Sequence, residues 1–243
     1  MKKIALIFLL GSLLGLLCAL ESDPSETVGY VRITVNEGYT AFGLPFTFTN
    51  DLGDESYAIN DVIGDQLTGG NFIFQSDQII DIFDGASSWY SNPALSWDPN
   101  MTLDTEHSFY AKVLSGHGTQ DVYLAGRVEP EIIVYSTMMN PGYNPVGIKE
   151  AGVVGVEDLD LVESGFTGGN FIFQSDQLID INTGFVAWYK SSDSTWQSSL
   201  TQVEPGAGYF IKVLTGHSAF TWTYDPTDNS RSIINNKEIR VKK

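Results

Sequence analysis

The sequence predicts an all-β protein made of two tandem copies of a small β-sandwich or barrel-like domain, and three observations carry that expectation. The block Thr68-Gly69-Gly70-Asn71-Phe72-Ile73-Phe74-Gln75-Ser76-Asp77-Gln78 recurs letter for letter at Thr167–Gln177. Apolar residues in both stretches alternate with the two-residue period of strands rather than the 3.6-residue period of helices. Turn-forming residues interrupt them often, with 24 glycines and 9 prolines among 243 residues.

The repeat extends well past the identical block. Ile80-Asp81-Ile82 answers to Ile179-Asp180-Ile181, Trp89-Tyr90 to Trp188-Tyr189 and Trp97 to Trp196, all at an offset of 99. One inserted residue later, Lys112-Val113-Leu114-Ser115-Gly116-His117 meets Lys212-Val213-Leu214-Thr215-Gly216-His217. Gly38-Tyr39 and Gly43-Leu44 have fainter echoes in Gly142-Tyr143 and Gly147-Ile148. A period near 100 residues is too long for a solenoid and fits whole domains, placed at 21–129 and 130–225.

Within the first copy, Val31–Val35 alternates, Asn36-Glu37-Gly38 turns, and Tyr39 to Phe46 runs β-rich. Asn71–Gln75 and Gln78–Phe83 read as two further strands. Asp84-Gly85 marks a hairpin turn whose counterpart, Thr183-Gly184, keeps the glycine. Ser88–Ser91 is the return strand, followed by strands at Phe109–Leu114 and Asp121–Val128 around a Ser115–Gly118 turn. Ser56 to Ile63, closed by Gly64, is the one stretch with the makings of a helical turn or two. No segment supports a long helix.

The first twenty residues read as an export signal: Lys2-Lys3, an uncharged apolar run from Ile4 to Leu17, then Cys18-Ala19-Leu20 before polar Glu21-Ser22-Asp23. Cleavage after Ala19 leaves a chain without cysteine, which excludes a disulfide framework. Lipid attachment through Cys18 is the alternative, opposed by bulky Leu17 where that processing wants a small residue. No membrane span is expected once the signal is removed.

Thirty acids against 13 bases give a net charge of −17, which excludes a nucleic-acid partner for want of a basic face. Charge is uneven. Residues 226–243 hold 5 bases and 2 acids, so Arg231, Lys237, Arg240, Lys242 and Lys243 form a basic tail.

Candidates for chemistry are sparse. His117 and His217 occupy matching turns, but each brings one imidazole without nearby His or Cys, too few for a metal site. No Gly-x-Ser-x-Gly elbow is present. Glu157-Asp158-Leu159-Asp160 with Glu163 lacks the glycine-punctuated spacing of a calcium loop. Asp77 and Asp81 are a carboxylate pair of the kind glycosidases use, in a chain with many chance pairs. No metal, cofactor or catalytic set is therefore expected. The candidate ligand-binding residues are aromatic: Trp89, Tyr90 and Trp97, with Trp188, Tyr189 and Trp196 in the second copy. Adjacent residues on a strand point to opposite faces, so one of each Trp-Tyr pair leaves the core and can stack on a sugar ring or a partner's apolar patch.

The segments Val28-Gly29-Tyr30-Val31, Gly43-Leu44-Pro45-Phe46 and Glu204-Pro205-Gly206-Ala207-Gly208-Tyr209-Phe210-Ile211-Lys212 resemble secreted β-repeat proteins of verrucomicrobial, planctomycete and related bacteria. The first copy departs from that pattern, with Glu106-His107-Ser108 where the second has Gly206-Ala207-Gly208. The resemblance implies export and β structure and no reaction. The expectation is a secreted or cell-surface, non-catalytic interaction module whose partner is an extracellular polysaccharide or another surface protein. A carbohydrate-binding protein using the repeated aromatics is the alternative, and a glycoside hydrolase ranks behind both.

Overall fold

Alternation along Val28–Val35 (β1) sends Gly29 and Val35 inward and Val28, Tyr30, Arg32 and Thr34 outward, and the strand pairs antiparallel with Gln120–Arg127 (β7) over its whole length. The computed structural model describes residues 27–128 and 135–224. The export segment with Cys18 and the basic tail lie outside them. The protein is all-β, with strand in 44 % of the described residues and helix in 9 %. Among the described residues no helix is long and apolar enough to cross a membrane.

The strands between β1 and β7 are Gly38–Phe42 (β2), Gln78–Asp81 (β3), Ser87–Ser91 (β4), Ser96–Asp98 (β5) and Phe109–Val113 (β6). They form one antiparallel sheet in the order β2-β6-β3-β4-β5. Further along come Tyr135–Met139 (β8), Gly142–Gly147 (β9), Val154–Gly155 (β10), Gln177–Asp180 (β11), Val186–Lys190 (β12), Thr195–Ser198 (β13), Gln202–Val203 (β14), Gly208–Val213 (β15) and Phe220–Tyr224 (β16). Here the five-stranded order is β9-β15-β11-β12-β13, while β8 pairs with β16 as β1 does with β7. The tight turn between β3 and β4 places Gly85 at φ +76°, and that between β11 and β12 places Gly184 at +71°, a region open to glycine at no steric cost.

Each five-stranded sheet has one face in a core. In the first, Phe42, Ile79, Tyr90, Trp97, Phe109 and Ala111 meet Val35, Val122 and Leu124 of the β1–β7 ribbon. In the second, Val146, Leu178, Ala187, Tyr209 and Ile211 meet Met139, Phe220, Trp222 and Tyr224 of the β8–β16 ribbon. Burial of this apolar area is the main stabilising term. Free ribbon edges are blunted by side chains standing in for a strand: Gln66 both accepts from Tyr123 N and donates to Tyr123 O, and Ser164 Oγ does the same with Thr223.

The two sheets meet at their β2 and β9 edges. Gly43 N donates to Gly206 O at 3.0 Å, and Gly147 N to Glu106 O at 2.9 Å. Ser108 Oγ donates to Val146 O at 2.5 Å and accepts from Tyr209 N at 3.1 Å. A Cβ at the counterpart Gly208 would lie 3.0 Å from Ala41 Cβ, 3.1 Å from Phe42 N and 3.2 Å from Ser108 Oγ, so a larger residue there would press on its neighbours. Asn182 accepts from Ala41 N at 2.6 Å and donates to Ala41 O at 2.8 Å. The position matching Ala41 is Pro145, which has no N–H to satisfy, and the position matching Asn182 is Phe83.

Three sequence readings are corrected. Asn71–Gln75 is no strand: Ile73–Gln75 is a 3₁₀ turn, as is Ile172–Gln174. The β-rich run from Tyr39 narrows to Gly38–Phe42, and the helical stretch Ser56–Ile63 narrows to one turn, Ile59–Val62. The short edge strand Ser96–Asp98 has too few residues to show a period.

Candidate functional site

The next-to-last residue of the identical block is an aspartate that is fully buried in both halves. Asp77 Oδ2 accepts from Thr68 N at 3.0 Å and Gln120 Nε2 at 2.6 Å, while Oδ1 accepts from Leu114 N at 2.8 Å and faces His117 Nδ1 at 2.7 Å. Asp176 repeats this with Thr167 N, Leu214 N and His217 Nδ1. A carboxylate only accepts, so the Nδ1 facing it carries the proton. Each carboxylate thus ties the start of the block to the turn after β6 or β15. Sequence reasoning treated the histidines and Asp77 separately; their joint recurrence at offsets of 100 and 99 was the signal that linked them.

Because Ser76-Asp77 and Ser175-Asp176 turn inward, the residues just before them turn outward. Phe72, Ile73 and Phe74 are exposed, as are Phe171, Ile172 and Phe173. The two rings in each triplet stack, with centroids 5.4 Å apart and planes within 5° and 2° of parallel. Gln75 N donates to Phe72 O and Ser76 Oγ to the same carbonyl, and Gln78 Nε2 donates to Ile73 O. In the second half Gln174 N donates to Phe171 O and Gln177 Nε2 to Ile172 O. These knuckles are therefore held rigid from below. Sequence reasoning missed them by reading the segment as a strand.

The register sets Gln78 between Lys112 and Trp89, with Tyr39 beyond Lys112, on the sheet face opposite the core. Gln177, Lys212 and Tyr143 stand in the same relation, and the register carries Trp188 to the same face. Lys112 Nζ lies 5.9 Å from the Tyr39 ring centre, and Lys212 Nζ 5.2 Å from that of Tyr143. Edge-to-face pairs complete the strip: Tyr39 with Tyr110 and Tyr143 with Phe210, both at 5.5 Å.

Of the six aromatic candidates, Trp89 and Trp188 are half-buried on this outer face. Tyr90 and Trp97 belong to the first core, and Trp97 Nε1 donates to Gly64 O at 2.7 Å. Tyr189 and Trp196 are half-buried and packed against the second core, with Trp196 also against Phe166.

Asp81 lies at the mouth of the joint. Its Oδ1 accepts from Phe83 N at 2.7 Å and its Oδ2 faces His107 Nδ1 at 3.1 Å, while the His107 ring stacks on Phe83 with centroids 4.5 Å apart. That hydrogen bond, reinforced by the charges of Asp104 and Asp84, raises the His107 pKa against the opposing effect of burial. Burial holds the Tyr209 hydroxyl far above its ordinary value. Glu37 is held low by the amides of Gly116 and Gly118, which donate to its carboxylate. Glu157 and Asp158 lie in a 3₁₀ turn and Asp160 at the start of the helical turn Leu161–Ser164. Among the described residues no three His, Cys, Asp or Glu side chains converge as metal ligands would. A cleft of about 330 Å³ opens at the joint between Arg32, Asn36 and Tyr39 on one side and Asn182, Glu204 and Pro205 on the other.

Fold and surface together define an all-β protein that bears one pattern of exposed aromatics twice. No family model matches the chain, and no curated protein or solved structure is significantly similar to it.

Proposed function

We propose that the protein is an exported, non-catalytic binding module of two duplicated β-domains that contacts an extracellular surface or matrix. The shared strand order of the two sheets and the identical block support the duplication. One observation carries the functional reading. The solvent side of each sheet bears the same set, Tyr39, Lys112, Gln78 and Trp89 in one half and Tyr143, Lys212, Gln177 and Trp188 in the other. Outward aromatics that the core does not require are the usual mark of a contact surface.

Three acids that the sequence brings forward are engaged in the fold: Asp77 and Asp176 by backbone amides and histidines, Asp81 by Phe83 N and His107. Such engagement favours a mechanical role for these acids over general acid–base work. The test is solid-phase binding of the purified protein to immobilised extracellular polymers and surface proteins, with Y39A/Y143A beside the parent chain. Capture by such a polymer or surface protein that the double variant loses supports the module. Capture unchanged in the variant, or turnover of a polymer during the assay, overturns it.

A further inference from the structure

The exposed knuckles differ in chemistry from the sheet faces beside them. Each consists of two parallel phenylalanine rings and an isoleucine, flanked by the exposed amides of Asn71 and Gln75 or of Asn170 and Gln174. No residue of either knuckle is charged. The rings are 56 % and 71 % exposed in Phe72 and Phe74, and 57 % and 69 % in Phe171 and Phe173, so the core does not need them.

These exposed rings are identical between the halves, while some buried positions have changed and others, such as Asp77, Val113 and Trp97, have not. Ile79 is matched by Leu178, Ser88 by Ala187, Phe109 by Tyr209 and Phe42 by Val146. Packing alone would have held the core positions more tightly than the surface ones. The rings are thus kept at the surface in both halves without a packing role that demands them.

We infer that the two knuckles are paired binding sites for an uncharged polysaccharide, an inference that rests on the binding-module reading above. Each exposed ring face offers flat apolar area to the C–H face of a sugar, and the flanking amides donate and accept at its hydroxyls. A net charge of −17 repels polyanions and anionic lipid surfaces, and the uncharged knuckles themselves suit a neutral ligand. The 3₁₀ turns hold the rings in place before binding, which limits the ordering that binding would otherwise require. Two sites on one chain suit a repeating polymer, because the second contact forms at high effective concentration.

The test is affinity electrophoresis of the purified protein through gels containing hydroxyethyl cellulose, xylan, mannan or, as a polyanion, alginate. The variants are F72A/F74A, F171A/F173A and the quadruple F72A/F74A/F171A/F173A. All four rings lie at the surface, and circular dichroism with thermal melting checks that each variant folds. Retardation by at least one neutral polymer, reduced about tenfold in either double variant and lost in the quadruple, supports the inference. Four outcomes overturn it: no neutral polymer retards the parent; alginate alone does so; the quadruple is retarded like the parent; or the quadruple instead loses flotation with phosphatidylcholine vesicles or self-association in sedimentation. Under any of these, capture of the parent chain that the Y39A/Y143A variant loses would keep the binding module while removing its polysaccharide.

Discussion

Asp77 Oδ1 and His117 Nδ1 stand 2.7 Å apart, and Asp176 Oδ1 and His217 Nδ1 repeat that distance in the other half. Both carboxylates also accept backbone amides from two distant segments, so each anchors the base of a knuckle. Removing one strands several buried donors, each of which costs roughly 1–3 kcal/mol when unsatisfied. Asp77→Ala is therefore expected to destabilise the protein by about 3 kcal/mol or more, a large share of a typical 5–15 kcal/mol. His117→Ala leaves the amide bonds in place and should cost less. Urea unfolding followed by tryptophan fluorescence checks both, and equal losses would show that the imidazole rather than the amides organises the turn.

The second prediction concerns pH. The pKa of His107 is raised by its hydrogen bond to Asp81, with Asp104 and Asp84 adding to the effect. A group raised on folding contributes stability that is fully present below its unfolded pKa, about 6.5, and is lost as pH climbs through the higher folded value. The melting temperature should therefore fall as pH rises from that region, and His107→Gln should flatten this dependence. The second half has Ala207 at the matching position and makes no such contribution. A pH dependence identical in the parent and the variant would show that His107 does not carry it.

A third expectation tests the joint between the sheets. Asn182 both accepts from Ala41 N and donates to Ala41 O, and Ala41 is buried. Asn182→Ala leaves both groups unpaired and should cost about 1–3 kcal/mol. Asn182→Asp keeps the acceptor but sets a carboxylate against a carbonyl, so it should be no better tolerated. Denaturation midpoints decide, and a midpoint unchanged in both variants would mean that water replaces the amide.

Strands and hairpin turns were legible in the sequence because alternation and glycine placement are local signals. The Asn71–Gln75 segment was not. Phenylalanine and isoleucine favour strands because they pack on a half-buried pleat, and here the polar Ser76 and Asp77 take the inward positions. They do so because partners wait for Asp77 at Leu114, His117 and Gln120, roughly 40 residues away in the chain and invisible to any local period. The aromatic candidates failed to separate for a similar reason. Trp89 and Trp97 look alike in sequence, but register sends the first outward and the second into the core beside Gly64 O. Asn182 was unreadable as well, since its function depends on the backbone of Ala41, 141 residues earlier.

The last prediction contrasts two glycines. A Cβ on Gly147 would lie 2.5 Å from His107 O and 2.9 Å from Thr105 O, both backbone atoms that cannot swing aside. One on Gly53 would meet nothing within 4 Å, although φ there is +84°. Gly53→Ala thus bears only the conformational penalty of a left-handed alanine, about 1 kcal/mol. Gly147→Ala must push the β6-side loop away and with it stretch the Gly147 N to Glu106 O bond at the joint. Overpacking of that kind costs about 1–3 kcal/mol, and the lost hydrogen bond adds about 1 kcal/mol. Urea midpoints should fall further for Gly147→Ala than for Gly53→Ala, and Gly147→Ala should also expand the protein in small-angle scattering. Equal midpoints together with unchanged scattering would mean that the two sheets are held by contacts other than these edges.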